Sequence, residues 1–349
     1  MSILDIIYFI LVLSITIFIH ELGHFIFAKR AGIYVYEFCI GMGPRIFKFK
    51  RKNDETEYGI RLFPIVGFVQ MAGEGVEVDE NIPVEKRMQS KTWMQRFLTV
   101  IAGVTFNFIL AIIVFTIVAI VSGVPNNKPV IGGINEKYLD YEVNLEKGDL
   151  ILSVNDKKVS NQDMLLLELQ VAMGKNLDLK VKHENGNIET VTLIPKEEKI
   201  DDAVSYKYGF YIDSSISRNF IDIITYGFTK TWSLITQMIY IIAYLITGKL
   251  SLNSLSGPVG IFNIVSESAK AGFINIIYLI GFLCVNVGVV NLIPLPAFDG
   301  GRVLFMIIEK IKGSPVDPKI ENMIHAVGLV LLLILMAAIT WNDIVKFIL

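Results

Sequence analysis

The sequence predicts an α-helical polytopic membrane protein, with a membrane-associated β-hairpin or sheet and an inserted β-rich domain. Three observations predict it. The 349-residue chain is 53% hydrophobic and only 19% charged, the balance of a membrane protein. About four apolar stretches, roughly 3–28, 97–121, 273–298 and 322–342, reach the ~20 residues a bilayer crossing takes. Between the second and third lies a polar, turn-punctuated region with the alternation of strands. The net charge of -2 gives no sign of a nucleic-acid partner. Cys39 and Cys284 fall in different kinds of segment and form no C-x-x-C pair, so neither a disulfide framework nor a thiolate metal site is expected.

The N-terminus, Met-Ser-Ile-Leu-Asp, lacks a basic leader region, and the run that follows is long enough to span. It reads as a retained transmembrane helix. Near its end stands His20-Glu21-Leu22-Gly23-His24, in a run whose only other charge is Asp5. Helix positions four apart share a face, so His20 and His24 can point at one metal ion, with Glu21 as general base for an attacking water. The bland alternative is three chance polar residues paired with one another. Ionisable groups inside a span are functional by default, which favours the metal.

The segment 53–72 mixes β-branched and aromatic residues with Gly59, Pro64 and Gly67, the pattern of short strands or a hairpin next to the His20 region. It is either an ordinary loop or an exposed strand edge, around Gly67 and Phe68, that pairs with an extended peptide. The second span follows, completing an N-terminal membrane domain over 1–124. Over 125–198 the chain reads as a compact β-rich domain. Turn and strand alternate across 145–159, a helix covers 161–173, and strands near 177–183 and 188–194 flank Glu184-Asn185-Gly186-Asn187. Residues 199–272 form a membrane-surface or re-entrant helical region, and 273–349 a C-terminal membrane domain.

Orientation follows from Lys and Arg beside the spans. Twelve lie in 29–96, and Arg302, Lys310, Lys312 and Lys319 follow the third span. Both segments are then cytoplasmic and both termini outside. A fifth uncharged stretch, 231–248, would put the two basic loops on opposite sides if it crossed, so it is expected to stay at the external surface.

A catalytic zinc usually has three protein ligands. His183 lies beside a turn and is expected at the surface; His325, near the start of the last span, stays open as a ligand. Glu37 is disfavoured because Gly41-Met42-Gly43-Pro44 soon interrupts any helix. Asp299 is preferred. It lies in Asn291-Leu292-Ile293-Pro294-Leu295-Pro296-Ala297-Phe298-Asp299-Gly300-Gly301, where prolines and glycines break a stretch too long for one straight span. Irregular backbone at membrane depth is tolerated only where protein or a water cavity covers it. His20 is nine residues before Lys29, roughly 13 Å of helix, so both motifs reach the cytoplasmic half. The alternative for Asp299 is a capping carboxylate at a helix restart.

Together these residues resemble the site-2 protease family of intramembrane zinc metalloproteases, nearest its regulator-of-sigma-E protease group. The shared motifs are H-E-x-x-H at His20–His24 and N-x-x-P-x-P-x-x-D-G at Asn291–Gly300. Gly41-x-Gly43, Gly103 to Asn107 and Ser256 to Ile261 also match. The resemblance implies Zn2+ held by His20, His24 and Asp299, with Glu21 activating water. It implies substrate contacts at Asn291, Pro294, Gly67, Phe68 and Asn107; for Asn107 the alternative is close helix packing with Gly103. Phe298 departs from the leucine common before the Asp-Gly pair.

The 125–198 domain resembles a PDZ domain through Glu146 to Asn155, although Tyr141 to Asn144 replace the usual Ala-Gly of the peptide-binding loop. The implied function is intramembrane endopeptidase action on pre-trimmed single-span membrane proteins, such as anti-sigma factors or remnant signal peptides, in regulated proteolysis at a bacterial plasma membrane. The implied partners are those substrates and the lipid bilayer. Competing readings are a non-catalytic PDZ-bearing scaffold and a metal or proton transporter, the latter disfavoured by the lack of an inverted repeat.

Overall fold

Ser2 starts the first helix. Its hydroxyl accepts from the Leu4 amide (3.2 Å), and the Asp5 carboxylate accepts from the Ser2 amide (2.9 Å), a reciprocal capping box. The helix α1 (Ile3–Arg30) is apolar nearly all round, as suits a lipid surrounding. Lys29 and Arg30 sit in its last turn, favourable at the negative end of the helix dipole, and Gly32 follows in the left-handed conformation. The computed structural model describes residues 2–74, 80–139, 143–200 and 203–347; Tyr141 and Glu142 of the departure in the PDZ-like loop lie outside them.

The chain divides into two compact units, Met1–Val118 with Leu252–Leu349, and Ala119–Ser251. In the first, α1 leads into two long antiparallel strands, β1 (Val35–Lys50) and β2 (Glu57–Met71). Sequence analysis expected strands only from residue 53. Gly41, Gly43, Pro44 and the charged Glu37 and Arg45 hide the period of β1. They also allow it to bend: Gly41 and Gly43 have positive φ, and the ladder carries repeated register shifts. Phe38, Cys39 and Ile40 thereby pair with Val69, Phe68 and Gly67, and also with Tyr58, Gly59 and Ile60. Lys29 ties the far end of the sheet to α1 through Asp54 (2.9 Å) and Glu55 (2.6 Å). Burial alone would raise the Asp54 carboxyl, but Lys29, the Thr56 amide and the Tyr58 hydroxyl hold it well below the usual carboxylate range.

Helix α2 (Trp93–Ser122) packs on α1, where Gly23 touches the Ala102 carbonyl so closely that a Cβ would lie 2.4 Å from its oxygen. After α5 (Pro258–Ala271), α6 (Phe273–Leu292) meets α2 with Gly281 against Phe115 and Val114, and Gly288 against Phe108. Small residues let membrane helices approach where no hydrophobic drive exists between them. As expected, α6 stops at Leu292, and the chain restarts as α7 (Asp299–Lys312) before α8 (Pro318–Phe347). Among the described residues, α1, α2, α6 and α8 are the helices long and apolar enough to cross a membrane.

In the second unit, β3 (Val124–Pro125) and β4 (Ile131–Ile134) precede β5 (Leu150–Val154), β6 (Lys157–Lys158) and helix α3 (Gln162–Val171). With β7 (Leu177–Lys182) and β8 (Ile188–Leu193) these make a four-stranded sheet of order β6-β5-β7-β8. Strand β7 alternates buried and exposed, and Leu177, Leu179 and Val181 join Ile151, Leu165 and Leu193 in one core. After the pair β9 (Lys196–Ile200) and β10 (Ala203–Lys207), β11 (Phe210–Ile212) and β12 (Ile216–Ser217) return to β4 and β3. The strands beyond 198 therefore belong to the same unit.

Helix α4 (Phe220–Ile246) closes that unit. One face docks on α3: Lys230 and Ser233 bind the Asp163 carboxylate at 2.7 and 2.6 Å, and Tyr244 donates to Glu168 at 2.5 Å. The opposite face exposes Ile221, Ile224, Phe228, Trp232, Ile239 and Ile246.

His183, expected at the surface, is buried instead, with Asp149 at 2.8 Å and Glu189 at 3.6 Å. The hydrogen bond to Asp149, then the charges of Asp149 and Glu189, raise the His183 imidazole above its ordinary value. A raised histidine contributes stability that is fully present below the unfolded pKa and lost as pH rises through the folded one. Replacing His183 by Gln should speed hydrogen exchange across 177–193 strongly at about pH 6 and little at about pH 9. Equal effects at both would exclude the charged pair.

Candidate metal centre

His20 and His24 lie on the face of α1 that meets α2, both 8% exposed. Their Nε2 atoms are 3.2 Å apart. Each faces Asp299 Oδ2, His20 at 3.1 Å and His24 at 3.3 Å. Neither contact to Oδ2 has hydrogen-bond geometry, so that oxygen is a buried acceptor without a donor. His24 Nδ1 donates to the Thr99 carbonyl at 2.8 Å. A carbonyl only accepts, so the proton sits on Nδ1 and the Nε2 lone pair points at the carboxylate. A lone pair facing an anion is repelled unless a cation or a proton lies between them.

The spacing suits one. Bonds of about 2.0–2.1 Å in a tetrahedron set ligand atoms about 3.3 Å apart, which is the separation found here. The three groups also form the one metal-competent cluster of His, Cys, Asp and Glu among the described residues.

Space for the cluster comes from Gly103 on α2, where a Cβ would sit 2.3 Å from His24 Nε2 and 2.9 Å from His20 Cε1. Asp299 arrives from the break after α6. There Ala297 is left-handed (φ 77°) and its amide donates to His325 Nδ1 on α8 at 3.0 Å. Gly300 and Gly301 allow the start of α7 to press on the carbonyls of Leu292, Ile293 and Leu295. Helix α7 is held to α2 by Arg96, bidentate to Glu309 (2.9 and 2.5 Å), and by Trp93, which donates to the Met306 carbonyl at 2.8 Å. Arg302 pairs with Glu74 just beyond β2.

Glu21 faces the sheet: a Cβ on Gly67 would fall 2.7 Å from its Cγ. Strand β2 thus runs against the residue beside the histidines. Of the other expected site residues, Phe68 lies under the Arg61 guanidinium (4.8 Å to its ring), Asn291 is half-buried in the last turn of α6, and Pro294 is exposed in the break. Asn107 is fully buried, its amide 3.3 Å from His20 Nδ1, on the side of the ring away from the cluster. Two alternative third ligands are elsewhere: Glu37 is paired with Arg45 and Arg61 at 3.1 Å each, and His325 holds the Ala297 amide. Sequence reasoning missed the Thr99 carbonyl, which carries no side-chain signal, and the role of Gly103 as space for imidazoles.

Comparison with known proteins agrees with this chemistry. The family model described as peptidase family M50 matches residues 8–335. The chain belongs to peptidase family M50. Relatives match over nearly their whole length. A zinc metalloprotease RasP of Geobacillus kaustophilus is 32% identical over 98% of each chain. The regulator of sigma-W protease RasP of Bacillus subtilis is 31% identical over 96% of this chain and 97% of its own. A putative zinc metalloprotease of Clostridium acetobutylicum is 35% identical over 99% and 98%. M50 membership makes this protein a zinc metalloendopeptidase of the site-2 protease kind, with Zn2+ as its cofactor, and sets aside the scaffold and transporter readings.

A methyl group at residue 103 would occupy the space in which the ligand atoms converge. Gly103→Ala should cut the zinc content of purified protein at least tenfold, of the order seen when a metal's supporting groups are disturbed. Helical content by circular dichroism should not change. Full zinc content in Gly103→Ala would contradict the placement of α2.

Proposed function

We propose that His20, His24 and Asp299 hold the zinc ion and that Glu21 is the general base of an endopeptidase acting on transmembrane segments. The observation that carries this is the 3.1–3.3 Å convergence of two imidazole nitrogens and one carboxylate oxygen beside Glu21. Zinc bound there supplies a Lewis acid for the scissile carbonyl and lowers the pKa of the attacking water. Glu21 takes the proton from that water and passes it to the leaving amine. Asn291 is the proposed hydrogen-bond donor to substrate backbone or to the developing oxyanion, with Pro294 shaping the same loop.

The substrate enters as an extended strand. A helix hides its peptide bonds, whereas strand 67–70 pairs on one side with β1 and, among the described residues, has no strand on the other. Gly67 and Phe68 then align the substrate beside Glu21. A cavity of about 450 Å3 lies beside α7, lined by Glu74, Arg96, Val100, Arg302, Met306 and Glu309, and water is proposed to enter from this side. The Lys and Arg bias supports a cytoplasmic location for that side, with both termini outside.

The β-rich unit is the proposed PDZ-like size filter, carried by α4, whose exposed apolar stripe fits the membrane surface. Substrates are then single-span proteins already trimmed outside, such as anti-sigma factors or remnant signal peptides. The Bacillus subtilis relative is named a regulator of sigma-W protease, which supports the first class.

Glu21→Gln should slow cleavage of a reporter transmembrane segment by about 10²–10⁴-fold, the usual worth of general acid–base catalysis, while zinc content stays at wild type. Wild-type rates in the zinc-loaded variant would remove Glu21 from the reaction.

A further inference from the structure

Thr99, Gly103 and Asn107 are spaced four apart and form one stripe of α2. This stripe backs the two histidines of α1. The Thr99 carbonyl takes His24 Nδ1, Gly103 leaves room, and Asn107 stands at His20 Nδ1. Asn107 has no solvent exposure, its Nδ2 lies 3.3 Å from His20 Nδ1, and its Oδ1 is buried without a partner.

With Nδ2 toward the ring, the amide donates to Nδ1, and a neutral His20 must then carry its proton on Nε2. That hydrogen would point into the cluster, and His20 would have no lone pair to give a metal. Turning the amide about its terminal bond exchanges two groups of nearly equal shape. Oδ1 then accepts the Nδ1 proton and Nε2 presents its lone pair; one unpartnered amide atom is exchanged for the other, so it is the metal's need for a lone pair that selects this orientation. The NH2 group takes the vacated place. His20 is thereby left in the tautomer that Thr99 imposes on His24.

We propose that Asn107 is the positioning residue for His20. Its Oδ1 accepts the Nδ1 proton and, with the Thr99 carbonyl, fixes both imidazoles as Nε2 donors to the metal. This rests on the assignment of His20, His24 and Asp299 as zinc ligands. The role differs from a substrate contact, because Asn107 lies behind the ring, and from simple helix packing, because it depends on which amide atom faces the imidazole. Partners of this kind commonly set metal affinity by 10–100-fold.

The test uses the full chain in detergent and reads zinc affinity by competition with a chromophoric chelator. Asn107→Leu keeps the volume and removes the acceptor; its zinc affinity should fall roughly 10–100-fold. Asn107→Asp keeps an acceptor and loses the donor; its affinity should stay within about threefold of wild type or rise, since a carboxylate partner makes the imidazole a better ligand. Thermal unfolding of the zinc-free proteins checks that each variant folds. Leu at wild-type affinity, or a folded Asp variant as weak as Leu, overturns the proposal. Should Asn107→Leu fail to fold, Asn107→Asp decides alone: near-wild-type affinity supports an acceptor role, and a tenfold loss refutes it. A different result, His20→Ala or Asp299→Ala binding zinc as tightly as wild type, would instead sink the ligand assignment beneath it.

Discussion

Two imidazole Nε2 atoms and a carboxylate oxygen lie within 3.3 Å of one another inside a layer of apolar helices. Such a cluster of acceptors needs a cation or a proton among them, and burial makes each unpaired group more expensive. Much of the first unit answers this constraint. Gly23 and Gly103 draw α2 close to α1 and leave space at the ligand atoms. The break after α6 delivers Asp299, and Arg96, Trp93 and His325 hold the broken segment from two other helices.

The same need for order explains the unequal distribution of strong polar contacts. Around α7 they are charge-assisted and bidentate, as at Arg96 and Glu309, because displacing this short helix would carry Asp299 away from the two imidazoles. Along α6 and α2 the contacts are between glycine and aromatic rings, which fix distance but carry no charge into the membrane. The bent sheet beside Glu21 combines both devices. Glycines allow its curvature, and the ion pairs Glu37–Arg61 and Arg45–Glu57 fasten its two strands together.

Helix α4 shows where hydrophobicity alone misleads. Its stretch 231–248 is apolar enough to resemble a span, yet Lys230, Ser233 and Tyr244 on one face bind Asp163 and Glu168 of α3. The remaining exposed face is an apolar stripe, and α4 is not among the four described helices long and apolar enough to cross a membrane.

Four spans, the break at Pro294 and Pro296, the histidine pair and the preferred Asp299 were all legible from the chain, because each rests on local chemistry. Apolar length meets a fixed bilayer thickness, proline and glycine interrupt helices, and positions four apart share a face. Strand β1 was not legible, since glycine and charge mask its period. Nor was the buried pairing of His183, the grip of His325 on the Ala297 amide, or the position of Asn107 behind His20. Those are contacts between segments far apart in sequence, some through backbone carbonyls that every residue possesses. The sequence by itself determined which atoms were available to bind a metal. Only the tertiary structure decided which lone pairs converge, because helix packing sets distances that no local pattern encodes.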